Sequence, residues 1–143
     1  MKQKKDSEVE IGKLKFIQIG NSMVTLWHRP GVGDIRLLKE LQGISLVVTL
    51  QSVKEHPKSI FKECAVNGIE SMHVELNGAN AAILSDKKTV ATLKKSIREL
   101  TETLKTPDIE GLQRRVLIHC AAGIHRTGTV TYSLLRLDGK TPR

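Results

Sequence analysis

The sequence predicts an α/β fold in which a central, largely parallel sheet is flanked by helices. Three observations carry this. Short β-type runs alternate with segments of helical periodicity in the order ββαβαβαβα. The runs Ile44 to Leu50 and Arg115-Val116-Leu117-Ile118-His119 are almost continuously apolar, as strands covered on both faces require. Finally, 143 residues with 39% apolar and 27% charged side chains suffice for one packed core and exclude a collagenous or wholly disordered polymer.

Each element has a local cause. Residues 1–13 are strongly charged and read as a frayed, solvent-exposed N-terminal arm. Residues 14–143 read as one domain. Leu14 to Ile19 and Met23 to Trp27 flank Gly20-Asn21-Ser22, which has the composition of a hairpin turn. Arg29-Pro30-Gly31-Val32-Gly33 breaks the pattern, Asp34 is placed to cap a helix, and Ile35, Leu38 and Leu41 recur at helical spacing until Gly43. After the buried strand at Ile44 to Leu50, Pro57 suits the first turn of a helix that closes at Asn67-Gly68. A strand follows near Ile69 to Leu76. Ser85 then caps a long helix whose Val90, Leu93, Ile97, Leu100 and Leu104 trace one stripe. A polar break from Thr106 to Gln113 leads into the strand at Arg115, and Thr127 to Leu137 reads as the last helix.

Composition narrows the chemistry. No apolar run approaches the roughly 18 residues a bilayer crossing needs, and no secretory signal opens the chain, so a cytoplasmic address is expected, with the nucleus open. Two cysteines, Cys64 and Cys120, are too few for a disulfide framework. A net charge of +8 favours anionic partners. Four aromatic residues, Phe16, Trp27, Phe61 and Tyr132, do not make a stacking platform, which disfavours nucleic acid. His28, His56 and His73 lack the close pairing of metal ligands.

The informative stretch is His119-Cys120-Ala121-Ala122-Gly123-Ile124-His125-Arg126-Thr127-Gly128, between a predicted strand and a predicted helix at the edge where open α/β sheets bind ligands. A loop of this length can curl into a cradle whose backbone N–H groups, from Ala121 to Arg126, face an anion at the positive end of the helix dipole. The same field favours a thiolate at Cys120 and makes it a nucleophile. Arg126 offers a planar fork for two phosphoryl oxygens, and the Thr127 hydroxyl is placed to assist departure of the thiolate. This chemistry calls for no metal and no organic cofactor. Gly123 to Thr129 differs from a nucleotide-binding loop, because Thr129-Val130 stand where a lysine and a hydroxyl residue are needed.

His119 to Gly128 resembles the signature loop of the protein tyrosine phosphatase superfamily, and the element order resembles its compact dual-specificity branch. The resemblance implies a phosphatase acting through a phosphocysteine intermediate, with the nucleophile, arginine and hydroxyl roles on Cys120, Arg126 and Thr127, and the preceding histidine on His119. Substrates implied are phosphotyrosine and phosphoserine or phosphothreonine in proteins. Charge and His125 keep inositol phosphates, phosphoinositides and RNA 5′ ends open, and a catalytically weak phosphate-binding module is the remaining alternative.

The sequence departs from that family where the general-acid aspartate is expected. The loop reads Glu75-Leu76-Asn77-Gly78-Ala79-Asn80, and an amide such as Asn77 cannot donate a proton as an acid. Glu75 and Asp86 are the substitutes at hand, although an acidic residue in a helix's first turn, like Asp86, equally serves the dipole. Cys64 reads as a small buried filler, with a peroxide-induced disulfide to Cys120 as the sharper alternative. Thr141-Pro142 has the signature of another helix start, so the domain is expected to continue beyond Arg143 and to leave apolar surface uncovered here.

Overall fold

The computed structural model describes residues 2–50, 56–74 and 87–120. Within them the chain runs α1 (Lys2–Gly12), β1 (Ile17–Ile19), β2 (Ser22–Trp27), α2 (Val32–Gln42), β3 (Leu46–Thr49), α3 (Lys58–Val66), β4 (Glu70–His73), α4 (Lys87–Lys105) and β5 (Arg115–His119). The five strands form one sheet in the order β1-β2-β5-β3-β4. Only the β1–β2 hairpin is antiparallel; β2, β5, β3 and β4 run parallel. The predicted α/β architecture is therefore present, with the last described strand at its centre.

Alternation along β5 divides the core. Val116, Ile118 and Cys120 join Val24, Leu46, Val48, Leu100 and Leu104 on the face covered by α4. Leu117 points the other way and meets Val47, Ile35, Leu38, Ile60 and Cys64 under α2 and α3. Both faces are dry, which is why β3 and β5 show no polar alternation in sequence. The long α4 follows its predicted stripe at Ile97, Leu100 and Leu104, all buried.

The hairpin turn has a second task. Gly20 takes φ +63° with its backbone against the Leu104 carbonyl, where a Cβ would come within 3.0 Å. Around it Asn21 N–H (3.0 Å) and Ser22 Oγ (2.7 Å) donate to the Leu104 carbonyl, and Asn21 Nδ2 donates to that of Lys105 (2.8 Å). The turn thus satisfies carbonyls that the end of α4 leaves without helical partners.

Arg114 is 8% exposed, and its guanidinium pairs with Glu70 (2.6 Å) and donates through Nε to the Thr106 carbonyl (3.2 Å). Arg115 contacts Gln42 and lies 4.1 Å over the Phe16 ring. These contacts tie down the amino-terminal edge of the sheet.

Two expectations change. Asp34 is not the helix cap: Gly31, with extended φ −71° and ψ 162°, precedes the helix, and Asp34 in the first turn accepts from the Gly31 N–H (2.8 Å). The chain can turn into the helix one residue after Pro30-Gly31, so the carboxylate reaches back instead of leading. The N-terminal segment is also no frayed arm over 2–12. It forms α1, whose Ile11 is 0% exposed among the α2 and α3 side chains, while Gln42 Nε2 donates to the Ile11 carbonyl (2.9 Å). One well-placed apolar residue in a charged helix is enough to dock it, a signal that composition conceals. Ile11→Ala is accordingly expected to destabilise the domain by about 2–4 kcal/mol, read as a lowered midpoint in urea unfolding; an unchanged midpoint would mean α1 is not part of the cooperative unit.

Candidate active site

Parallel pairing aligns the carboxyl ends of four strands. Trp27 of β2 and Thr49 of β3 stand opposite His119 of β5, and His73 of β4 stands opposite Thr49. Cys120 is thus the first residue beyond the central strand, at 2% exposure, and it heads the loop singled out in the sequence. Ala121, Ala122, Gly123, Ile124, His125, Arg126 and Thr127 lie outside the described residues, as do Glu75, Asn77, Asp86 and Ser85 and the expected helix from Thr127.

His119 is fully buried and has partners on both ring nitrogens. Nδ1 lies 3.3 Å from the Cys120 carbonyl and donates to it; Nε2 therefore accepts, at 2.9 Å, from the Thr49 hydroxyl. Burial pushes the imidazole from its usual 6.5 down to about 4, against the raising effect of the Cys120 carbonyl and with help from Arg29 and His28 nearby. A neutral ring with one fixed tautomer results. It pins the backbone of Cys120 from below without adding a positive charge to the core.

Thr49 was not singled out in the sequence. Its signal is a lone hydroxyl at the end of the apolar run Leu46-Val47-Val48, where a fully buried polar group requires a partner. Arg29 was likewise missed. It follows β2, and its Nη2 donates to the His56 carbonyl (3.0 Å) and the Ser59 hydroxyl (3.3 Å), which belong to the segment after β3. Since β5 lies between β2 and β3, this side chain links segments that flank the strand delivering Cys120. His56 has φ 55°, a left-handed conformation its carbonyl contact with Arg29 helps to hold. On the outer side, His28 meets Glu10 of α1 at 3.3 Å.

Cys64 behaves as a core filler: it is 0% exposed, and burial, with the Glu63 carboxylate, pushes its thiol up to about 11. The alternative disulfide to Cys120 is not formed in this structure. Both are thiols, and they sit in core layers on opposite faces of the sheet, whereas a disulfide needs Cα atoms within about 7 Å. Among the described residues no group of three or more His, Cys, Asp or Glu side chains is arranged to hold a metal ion, and no helix is long and apolar enough to cross a membrane.

A largely parallel α/β sheet whose central strand ends on His119, with Cys120 next and then, in sequence, five residues, an arginine and a threonine, defines a cysteine-phosphatase type of domain. Residues 17–143 match the family described as Swiss Army Knife protein, DSP-PTPase phosphatase domain, and the chain belongs to that family. Among solved structures it is similar to Tk-PTP in a mutant form, with 26% identity and TM-score 0.62 over 86% of this chain and 71% of that one. It is also similar to the kinase associated phosphatase with its catalytic-site cysteine changed to serine (21%, TM-score 0.66, 90% and 76% covered). The third is the core catalytic domain of the PP-IP phosphatase SIW14 from S. cerevisiae (20%, TM-score 0.56, 85% and 65% covered). No curated protein matched. Fold and family thus bear out the resemblance seen at the loop, and they place the chain among phosphatases.

His119 supplies a titration signature. Its folded-state value lies below the unfolded one, so the stability it contributes is complete above about pH 6.5 and is lost as pH falls toward 4. Unfolding free energy is expected to drop by about 3 kcal/mol across that window from this group. Denaturant titrations at pH 7 and pH 4.5 should show a smaller drop in His119→Gln than in the parent; an equal drop in both would reject the assignment. Thr49→Val, which leaves Nε2 buried without a donor, should cost about 1–3 kcal/mol at pH 7.

Proposed function

We propose that the domain hydrolyses phosphomonoesters through a phosphocysteine intermediate on Cys120, with phosphotyrosine-type aryl esters as its better substrates and phosphoserine or phosphothreonine as poorer ones. One observation carries this reading: the residue that begins the loop is a cysteine, seated at the end of the central strand and backed by a buried neutral histidine, in a chain of the DSP-PTPase family.

In the first step Cys120 Sγ attacks phosphorus while the bond to the ester oxygen breaks, and an aryl oxygen leaves as the phenolate, which takes its proton from water afterwards. In the second, water attacks the phosphocysteine, the S–P bond breaks, and inorganic phosphate departs. Arg126 holds two equatorial oxygens through both steps. Thr127 donates to sulfur as it leaves. Backbone N–H groups from Ala121 to Arg126 cradle the same oxygens. His119 acts on this machinery as a positioning residue, since its ring grips the Cys120 carbonyl.

Proton donation to the ester oxygen decides how substrates rank. Asn77 stands in the loop where the family's aspartate is expected, and an amide provides no acid. Aryl oxygens leave without one, whereas alkyl oxygens do not. A second reading, a phosphatase of polyphosphorylated small molecules, is favoured by the cationic carboxyl edge around Arg29 and Lys58. The fold likeness to a PP-IP phosphatase is compatible with it.

Steady-state assays with p-nitrophenyl phosphate and an alkyl phosphate test both points. Turnover of the aryl ester is expected to exceed that of the alkyl ester by roughly 10²-fold or more. It should fall by roughly 10⁴-fold or more in Cys120→Ser, and by about 10²-fold or more in Arg126→Lys. Undiminished turnover in Cys120→Ser refutes the covalent route, and tight phosphate binding with no wild-type turnover favours a binding module.

A further inference from the structure

The same sheet edge that ends at Cys120 carries a cavity that the mechanism above does not use. It has a volume of about 410 Å³ and is lined by His56, Pro57, Lys58, Ser59, Phe61 and His73. That volume falls within the range of small-molecule sites. Among the described residues its lining offers one ammonium, two imidazoles and a hydroxyl, and no carboxylate. The Phe61 and His73 rings lie 5.3 Å apart, tilted by 55°, which gives the cavity a ring-lined wall.

Its position relative to Cys120 follows from strand register. His73 stands opposite Thr49, and Thr49 stands opposite His119. The wall of the cavity is therefore two strand spacings, about 10 Å, from the strand that ends at the nucleophile. The lining lies on the α3 side of the sheet, whereas the Cys120 side chain faces α4, so the cavity is separate from the place of the phosphoryl group under attack and open to another substituent of a molecule that spans the carboxyl edge. Arg29 joins the two places: it holds His56 and Ser59 of the cavity lining and acts electrostatically on His119.

We propose that this cavity is a subsite for a second anionic group of a bound molecule, so that the domain binds small molecules bearing more than one phosphate more tightly than singly phosphorylated ones. The inference rests on the phosphatase reading and assigns specificity to residues outside the loop: Lys58 as the direct cationic contact, His56 and His73 as hydrogen-bonding walls, and Arg29 as the residue that positions the His56–Ser59 turn. A phosphate on one side of such a molecule sits in the Cys120 loop, and another lies beside Lys58. A singly phosphorylated ester fills only the first place.

The test is calorimetric, at pH 7, on the Cys120→Ser chain, which cannot turn its ligand over. Two probes are compared, myo-inositol hexakisphosphate and phenyl phosphate. Adding Lys58→Glu should weaken the hexakisphosphate by about five-fold more than it weakens phenyl phosphate. The exposed Lys95 on α4 provides a control of equal charge change: Lys95→Glu should leave both affinities within about two-fold. Glutamate in the first turn of α3 suits the helix dipole, so Lys58→Glu is expected to fold, and Lys58→Gln provides a milder version of the same loss.

Equal weakening of both probes by Lys58→Glu overturns the subsite, as does a Lys95→Glu effect of the same size. Absence of hexakisphosphate binding overturns it too, and so does tighter binding of an acidic phosphopeptide that shows the same Lys58 dependence. Failure of the phosphatase reading looks different. In that case wild-type chain leaves p-nitrophenyl phosphate intact, while the comparison of the two probes still decides the subsite.

Discussion

Everything in this domain depends on β5 being paired on both sides up to His119. Once β2 and β3 have used the hydrogen-bonding groups of that strand, the chain after it must leave the sheet at its carboxyl edge, and Cys120 is the residue at which it does so. The ladder even extends past β3, since Leu50 N–H still donates to the His119 carbonyl at 2.9 Å. A cysteine placed one residue earlier would point into the opposite core layer, because side chains alternate along a strand. Register therefore sets which side chain stands at the head of the loop.

Electrostatics at that point are built from opposites. Directly beneath Cys120 the fold keeps an imidazole neutral, by removing it from water and giving both of its nitrogens partners. Around the rim it gathers groups that bear or accept positive charge: His28 and Arg29 after β2, His56 and Lys58 after β3, and His73 at the end of β4. A charged His119 would have been repelled by Arg29 and starved of solvent at once, and both effects push in the same direction. The charge beside Cys120 is thus carried by side chains at the rim and not by the buried imidazole.

The opposite edge is treated differently. There Arg114 is matched by Glu70 and a carbonyl, Arg115 by Gln42 and the Phe16 face, and the end of α4 by the hairpin turn. Cations at this edge serve to fasten elements together. Net charge alone does not reveal this division of labour, since lysines and arginines of both kinds contribute equally to +8.

The sequence by itself determined the α/β class, the buried β3 and β5, the hairpin at Gly20-Asn21-Ser22 and the loop beginning at Cys120, because these follow from local periodicity, turn chemistry and residue spacing. Only tertiary structure decided that α1 docks through Ile11, that Thr49 completes His119, that Cys64 and Cys120 are separated by the sheet, and that Arg29 joins the segments after β2 and β3. Each of these is a meeting of residues distant in the chain. Periodicity records which face a side chain takes; which residue stands opposite that face is set by strand order and register, and these become definite when the sheet assembles.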